Sequence, residues 1–439
     1  MKQKIKQTLM TIVGLLLSTS AFAHDFEVDG IYYNITDETA KTVAVTYQGS
    51  WNSEYNEYAG SVTIPSSVTY NGTSYYVTEI GEDAFFGCTG LTSVTIPNSV
   101  TEIGEFAFYN CKGLTSISIP NSVTEISKRA FAYCSGLTSI PIPNSVTSIG
   151  EAAFSGCTGL TSISIPNSVT EIGKSAFLGC TGLTSVTIPN SVTEIGENAF
   201  AFCSGLTEVT IPNSVTEIDA GAFCYCTGLI EVTIGNSVEA IGYAVFQNTT
   251  NLKKVVSLNT TPPTCSGSTS FDSSNYSNAA LYVPKDGYEK YFIDDVWGNF
   301  SNINEITLAS SISLNKISIE LDKGSTTTLS ATVSPSDATI KNIVWESSNP
   351  SVVMVDQSGN ITALSDGSAI ITATAFDGSE VYASCVVTVG VGGVEGIEAD
   401  NNSFEVVRYD IHGRLLAEPA KGINIIKMSD GTIRKEFVK

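Results

Sequence analysis

Ile119-Pro120-Asn121-Ser122-Val123-Thr124-Glu125-Ile126-Ser127-Lys128-Arg129-Ala130-Phe131-Ala132-Tyr133-Cys134-Ser135-Gly136-Leu137-Thr138-Ser139-Ile140-Pro141 decides the fold, because the chain repeats it. Cysteines fall at 88, 111, 134, 157, 180, 203 and 226, each 23 residues after the last. Copies of the quoted unit begin at Ile96, Ile119, Ile142, Ile165, Ile188 and Ile211, with looser ones at Ile64 and Ile234. The apolar positions of one unit are Ile119, Val123, Ile126, Ala130, Phe131, Cys134, Leu137 and Ile140. No single unit can bury that side alone. Each must therefore stack on its neighbours, and the product is a solenoid.

A unit of this length with Leu-x-x-Ile-x-Ile spacing has the signature of a leucine-rich repeat. Residues 137–142 keep Ile140 and Ile142 on one face at period two and read as a short strand, which Pro143 ends. Residues 123–126 read as a second strand, and 128–134 as one or two tight helical turns before the Ser135-Gly136 turn. Eight coils spaced about 4.8 Å apart would make a rod about 40 Å long. The predicted fold is a leucine-rich repeat solenoid over residues 64–256, mainly β with short helical turns.

An open-ended apolar stack needs lids. Residues 24–63 are non-repetitive and rich in tyrosine (Tyr32, Tyr33, Tyr47, Tyr55, Tyr58), which suits an N-terminal cap. The first repeat carries nine extra residues, and its Tyr70-Asn71-Gly72-Thr73 reads as a hairpin with a type I′ turn. At the far end the pattern decays: Gly235 replaces the proline, Val245 the alanine, and Thr249 stands where an eighth cysteine is due. Residues 257–303, with Thr261-Pro262-Pro263 and Trp297, are read as the C-terminal cap.

Lys2, Lys4 and Lys6 precede an apolar run from Leu9 to Leu17, and Ala21-Phe22-Ala23 supplies a cleavage site, so residues 1–23 read as a secretory signal peptide. That run is too short to span a bilayer, and no membrane span is expected after its removal. The expected location is secreted or at the outer-membrane cell surface. Removing three lysines takes the formal charge from −22 to −25, and residues 24–256 hold 22 acidic against 7 basic side chains. Nucleic acid and anionic membrane surfaces are therefore poor partners. Exported chains usually oxidise their cysteines. Here the seven regular ones lie in one column and run parallel into the core, which is poor disulfide geometry, so they are expected to be buried free thiols. Cys224, Cys265 and Cys385 fall outside that column.

From residue 304 to 389 the chain alternates β-formers with frequent turn signals and reads as an all-β sandwich anchored by Trp345. Val344-Trp345-Glu346-Ser347-Ser348-Asn349-Pro350, Gly359-Asn360-Ile361-Thr362-Ala363 and Cys385-Val386-Val387-Thr388-Val389 resemble the group 2 bacterial immunoglobulin-like domain, which implies a spacer or stalk. Residues 390–404 form a linker rich in glycine and then in acid. Residues 405–439 carry five acidic and seven basic side chains. Their Tyr409-Asp410-Ile411-His412-Gly413-Arg414 and Lys421-Gly422-Ile423-Asn424-Ile425-Ile426 resemble the C-terminal sorting module of type IX secretion; read without that resemblance, the segment is a small β-hairpin appendage.

The repeat itself, with Ile-Pro-Asn-Ser-Val, Ala-Phe-x-x-Cys and Gly-Leu-Thr-Ser-Ile/Val, resembles the BspA-type leucine-rich repeat of surface proteins from Gram-negative anaerobes. The resemblance implies a solenoid displayed outside the cell and, for some members, binding of host matrix or plasma glycoproteins. It carries over no binding residue, since the consensus is mostly core.

The histidines are His24 and His412, so neither folded domain holds the base of a Ser-His-Asp or Cys-His mechanism. Parallel thiols do not converge on a metal, and no metal or cofactor is expected. Glu79, Glu102, Glu125, Glu171, Glu194 and Glu217 form an acidic ridge; its sharper reading is weak calcium binding between neighbouring carboxylates. A uniform ladder offers no cleft for a glycosidase pair. The strand columns are nearly all Thr and Ser, whereas the repeats differ in three columns of the tight-turn segment. Phe106, Tyr109, Arg129, Tyr133, Phe202 and Tyr225 stand there and are the predicted ligand-binding residues, because aromatic and arginine side chains anchor interfaces. The competing reading has these rings merely packing over the neighbouring turn. The predicted function is non-enzymatic, adhesin-like binding of a protein or glycan outside the cell. Its rivals are a structural surface-layer component without a ligand and a glycan-processing enzyme.

Overall fold

A computed structural model describes residues 24–49, 58–267, 269–390, 405–410, 415–416, 418, 421–428 and 433–438. The predicted signal peptide, most of the linker and parts of the tail lie outside the described residues. The chain forms two units, Met1–Leu281 with Asp286–Ile303, and Tyr282–Lys285 with Asn304–Lys439.

The first unit is the solenoid, and each coil contributes to three walls. On the first wall, Gly60–Thr63, Leu91–Thr95 and Ser116–Ser118 pair in parallel, as do Ser162–Ser164 with Ser185–Thr187, and Glu208–Ile211 with Glu231–Ile234 and Lys254–Ser257. The strand expected at 137–142 is absent. Its side chains keep the expected parity, with Ile140 and Ile142 buried, but Pro141 stands where other coils have Ser118 or Ser164 and has no N–H to give the ladder. The first wall is interrupted there. The second wall is continuous from Glu125 onward: Glu125–Ile126, Ser148–Ile149, Glu171–Ile172, Glu194–Ile195, Glu217–Ile218, Ala240–Ile241 and Thr264–Cys265 form one parallel ladder in which each residue faces its equivalent one coil on.

The third wall holds the tight turns expected over 128–134, but its backbone is not helical. Arg129 (φ 53°) and Tyr133 (φ 61°) are left-handed. Within the coil, the N–H groups of Ala130, Ala132 and Cys134 donate to the carbonyls of Ser127, Arg129 and Phe131. Those of Arg129, Phe131 and Tyr133 donate instead to Glu151, Ala153 and Ser155 of the next coil, at 2.9, 2.9 and 2.6 Å. The turns thus make a third ladder of hydrogen bonds between coils.

Inside, Phe85, Phe108, Phe131, Phe154, Phe177, Phe200, Phe223 and Phe246 stack with centroids 4.9–5.7 Å apart and ring planes within 8° of parallel. Tyr58 covers one end of this column, against Phe85 at 4.7 Å. Phe271 extends the other end, where Trp297 covers it edge-on at 5.2 Å and donates its indole N–H to the Pro263 carbonyl at 2.9 Å. The hairpin at Asn71-Gly72 forms as expected, with both residues at positive φ and Tyr70 opposite Thr73.

All ten cysteines are free, and the seven regular ones are buried. They do more than fill space. Each thiol from Cys111 to Cys226 donates to the carbonyl of a phenylalanine in the preceding coil at 3.0–3.2 Å, as Cys157 does to Phe131. Burial pushes the Cys180 and Cys226 thiols up to about 12. A thiol reagent at about pH 8 is therefore expected to leave the seven untouched in native protein and to titrate all of them after unfolding without reductant. Seven thiols missing after unfolding would refute the free-thiol column.

In the second unit, Trp345 packs with Leu329, Ile361, Ile371, Cys385 and Val387 in a β-sandwich core. One sheet orders Ser318–Leu321, Tyr382–Val389, Gly367–Ala375 and Ile343–Ser347; a second orders Thr326–Thr328, Asn360–Ala363 and Val353–Val355, and Ser311–Leu314 pairs with Ala331–Ser334 in a third. The tail is larger than a hairpin: Leu415–Leu416, Glu405–Asp410, Gly422–Met428 and Ile433–Val438 form a four-stranded antiparallel sheet. A second long antiparallel pairing is what raises it above the hairpin reading.

Candidate functional site

The turn wall gathers the six predicted residues into two patches. In the first, the Arg129 guanidinium lies 5.5 Å from the centre of the Phe106 ring. Tyr109 meets Phe106 at 5.7 Å and Tyr133 edge-on at 5.3 Å. In the second, Phe202 and Tyr225 stack at 4.5 Å with planes 4° apart. The rings pack over neighbouring turns, and Tyr133, Phe202 and Tyr225 still stay 46, 47 and 43% exposed. Phe106, Tyr109 and Arg129 are half-buried.

Backbone conformation explains how the rings reach the surface. Five of the six residues, Phe106, Arg129, Tyr133, Phe202 and Tyr225, have φ between 53° and 61°. A left-handed residue costs an L-amino acid about 1–2 kcal/mol, and the bonds between coils hold it there. Two further aromatics stand on the same wall. Phe86 stacks on Tyr109 at 4.8 Å, and Tyr243 is 57% exposed. Tyr243 replaces a residue that is charged in most other coils (Glu105, Lys128, Glu151, Lys174, Glu197), and that substitution was the signal available for it.

The first wall offers less. Thr115, Thr161, Thr184 and Thr207 each donate their hydroxyl to the threonine carbonyl one coil back, at 3.1–3.4 Å. Their protons are committed, and one coil looks like the next.

On the second wall the carboxylates stand in register, Glu171 beside Glu194 and Glu194 beside Glu217, with Ser148 interrupting the row. Partial burial and the charges of Asp219, Glu217 and Glu171 raise the Glu194 carboxyl above its ordinary value. A group whose pKa is raised on folding contributes stability that is present below its unfolded pKa and lost as pH rises through the folded one. Glu194→Gln is thus expected to raise the melting temperature at about pH 8 and low salt, and to lose that advantage at about pH 4 or in high salt. An advantage independent of pH would contradict repulsion along the ladder. Among the described residues, no group of three or more His, Cys, Asp or Glu side chains converges as a metal site would need.

Residues 55–180 and 147–277 match the BspA-type leucine-rich repeat region in six copies, and residues 309–386 match the group 2 bacterial Ig-like domain. A leucine-rich repeat protein of Bacteroides ovatus, known from its crystal structure, is 30% identical, with 68% of this chain and 85% of that one covered and a TM-score of 0.49. An uncharacterised protein of Clostridium acetobutylicum is 49% identical over 82 residues, 19% of this chain and 8% of that protein. An α-L-arabinofuranosidase of Bifidobacterium longum is 35% identical over 116 residues, 24% of this chain and 11% of the enzyme. The chain spans a small part of the length of these curated relatives. BspA-type proteins are typically adhesin-like, at the cell surface or secreted, and their family is non-enzymatic. No helix among the described residues is long and apolar enough to cross a membrane. With repeat consensus, stacked coils and a family match over about half its residues in agreement, the chain belongs to the BspA-type leucine-rich repeat proteins.

Proposed function

We propose that the solenoid is a non-enzymatic binding rod, secreted or held at the cell surface, that takes a protein or glycan partner on its turn wall. The observation that carries this reading is the concentration of half-exposed rings on one wall, at Tyr133, Phe202 and Tyr225, against a first wall of near-identical Thr and Ser. Large directional side chains mark individual coils, and a repeated hydroxyl row does not. In this reading the Ig-like domain is a spacer and residues 405–439 serve export.

The test is a screen of the purified protein against matrix glycoproteins and glycans, with a hydrolase assay alongside. For any ligand found, Tyr133→Ala or Phe202→Ala should weaken binding by about 2 kcal/mol, while Thr138→Ala and Ser162→Ala should be nearly silent. The opposite pattern would move the site to the first wall. Silence in both assays would favour a structural surface component, and turnover would favour an enzyme.

A further inference from the structure

We propose that the turn wall between Tyr133 and Phe202 forms a trough for a neutral oligosaccharide chain, a proposal that rests on the binding reading above and names its ligand. In the column that holds these two rings, the intervening coils carry Gly156 and Gly179. With coils about 4.8 Å apart, the two ring-bearing positions stand about 14 Å apart along the wall. Tyr133 leans over the near edge of this gap, since a Cβ at Gly156 would lie 2.5 Å from its ring. Gly179 is open, with nothing within 4 Å of where its Cβ would stand. Beside the glycines Ala152 and Ser155 are buried, and the Ser155 hydroxyl donates to the Leu178 carbonyl at 3.3 Å.

The margins of the trough point to the chemistry of its occupant. Along one of them the same four coils carry Lys128, Glu151, Lys174 and Glu197, paired as Lys128 with Glu151 at 2.9 Å and Lys174 with Glu197 at 2.6 Å. Ser135, Thr158, Thr181 and Ser204 follow the cysteines on the other side of the ring column. The alternating charges cancel, which leaves fixed donors and acceptors without a net field. That arrangement complements a ligand dense in hydroxyls and free of charge, whose ring faces can lie on Tyr133 and Phe202. An anionic chain would meet a protein of net charge −22. A cationic one would be drawn to the carboxylate ladder of the second wall. Touching both rings requires an extended chain, not a single sugar.

The full chain would be titrated with neutral gluco-, xylo-, manno- and arabino-oligosaccharides from disaccharide to octasaccharide, with polygalacturonate as the anionic control and matrix glycoproteins as the protein control. Affinity should rise steeply at the length that reaches both rings. Tyr133→Ala, Phe202→Ala and Gly179→Asn should each weaken the long chains about tenfold or more. Asparagine tolerates the left-handed backbone of Gly179 (φ +71°) and fills the open floor, so this variant should fold and melt normally. Long-chain affinity that survives Gly179→Asn, preference for polygalacturonate, or no oligosaccharide binding at any length would each overturn the trough. Matrix glycoprotein binding that falls with Phe106→Ala or Tyr109→Ala would still uphold the turn wall as the interface, so the two readings can fail separately.

Discussion

Gly159→Ala is expected to destabilise the solenoid by about 3 kcal/mol, the upper end for an overpacked interior, by adding one methyl group. Its Cβ would lie 2.3 Å from the Ser135 carbonyl oxygen and 3.0 Å from that of Leu137, both backbone atoms of the preceding coil. Backbone cannot rotate aside as a side chain can. The coils would have to part, and the Thr161 N–H to Thr138 carbonyl bond at 3.1 Å lies within the same stretch. The same contact recurs at Gly113, Gly136, Gly182, Gly205 and Gly228, at 2.3–2.6 Å from a preceding carbonyl. Gly179→Ala is the control, because there the backbone is left-handed but the space is empty, so strain alone should cost about 1 kcal/mol. Urea unfolding of both variants decides the matter. If Gly159→Ala lowers the midpoint no more than Gly179→Ala does, close approach of coils is not what this glycine column provides.

The period, the buried columns and the second ladder were legible because they rest on spacing and apolarity, which a sequence displays directly. The contents of the gap between coils were not. Gly136 reads as half of a turn, while its role is to let the Lys112 carbonyl approach. Pro141 reads as a tolerable strand residue by parity, yet the missing N–H falls on the ladder to a coil 23 residues away. Residues 128–134 have a helix-like density of apolar positions, and the left-handed Arg129 and Tyr133 are set by bonds to Glu151 and Ser155 in the next coil. The six predicted residues follow from where the repeats differ. Their division into two patches, and the stacking of Phe86 on Tyr109, required the geometry of the coils. In a solenoid the informative contacts are one period apart, and local propensity is silent about them.

Cys157→Asp is expected to be the most destructive single substitution in the thiol column, about 4 kcal/mol or more at neutral pH. Cys157 is fully buried, and its thiol donates to the Phe131 carbonyl at 3.1 Å, an oxygen that also accepts the Cys134 N–H at 3.3 Å. A carboxylate there would be unpaired and would face a carbonyl oxygen with its own negative charge. Burial would raise its pKa, so the loss should be smaller at about pH 4 than at about pH 8, measured against wild type at each pH. Cys157→Ala removes one sulfur and one weak donor, and about 1–2 kcal/mol is expected from lost burial and a small cavity. Cys157→Ser separates the two contributions: it keeps a donor on a smaller side chain, so if the bond to Phe131 matters, serine should be no worse than alanine despite its polarity. A serine variant clearly less stable than alanine would mean that the thiols act as apolar filler and that their alignment on the phenylalanine carbonyls contributes nothing.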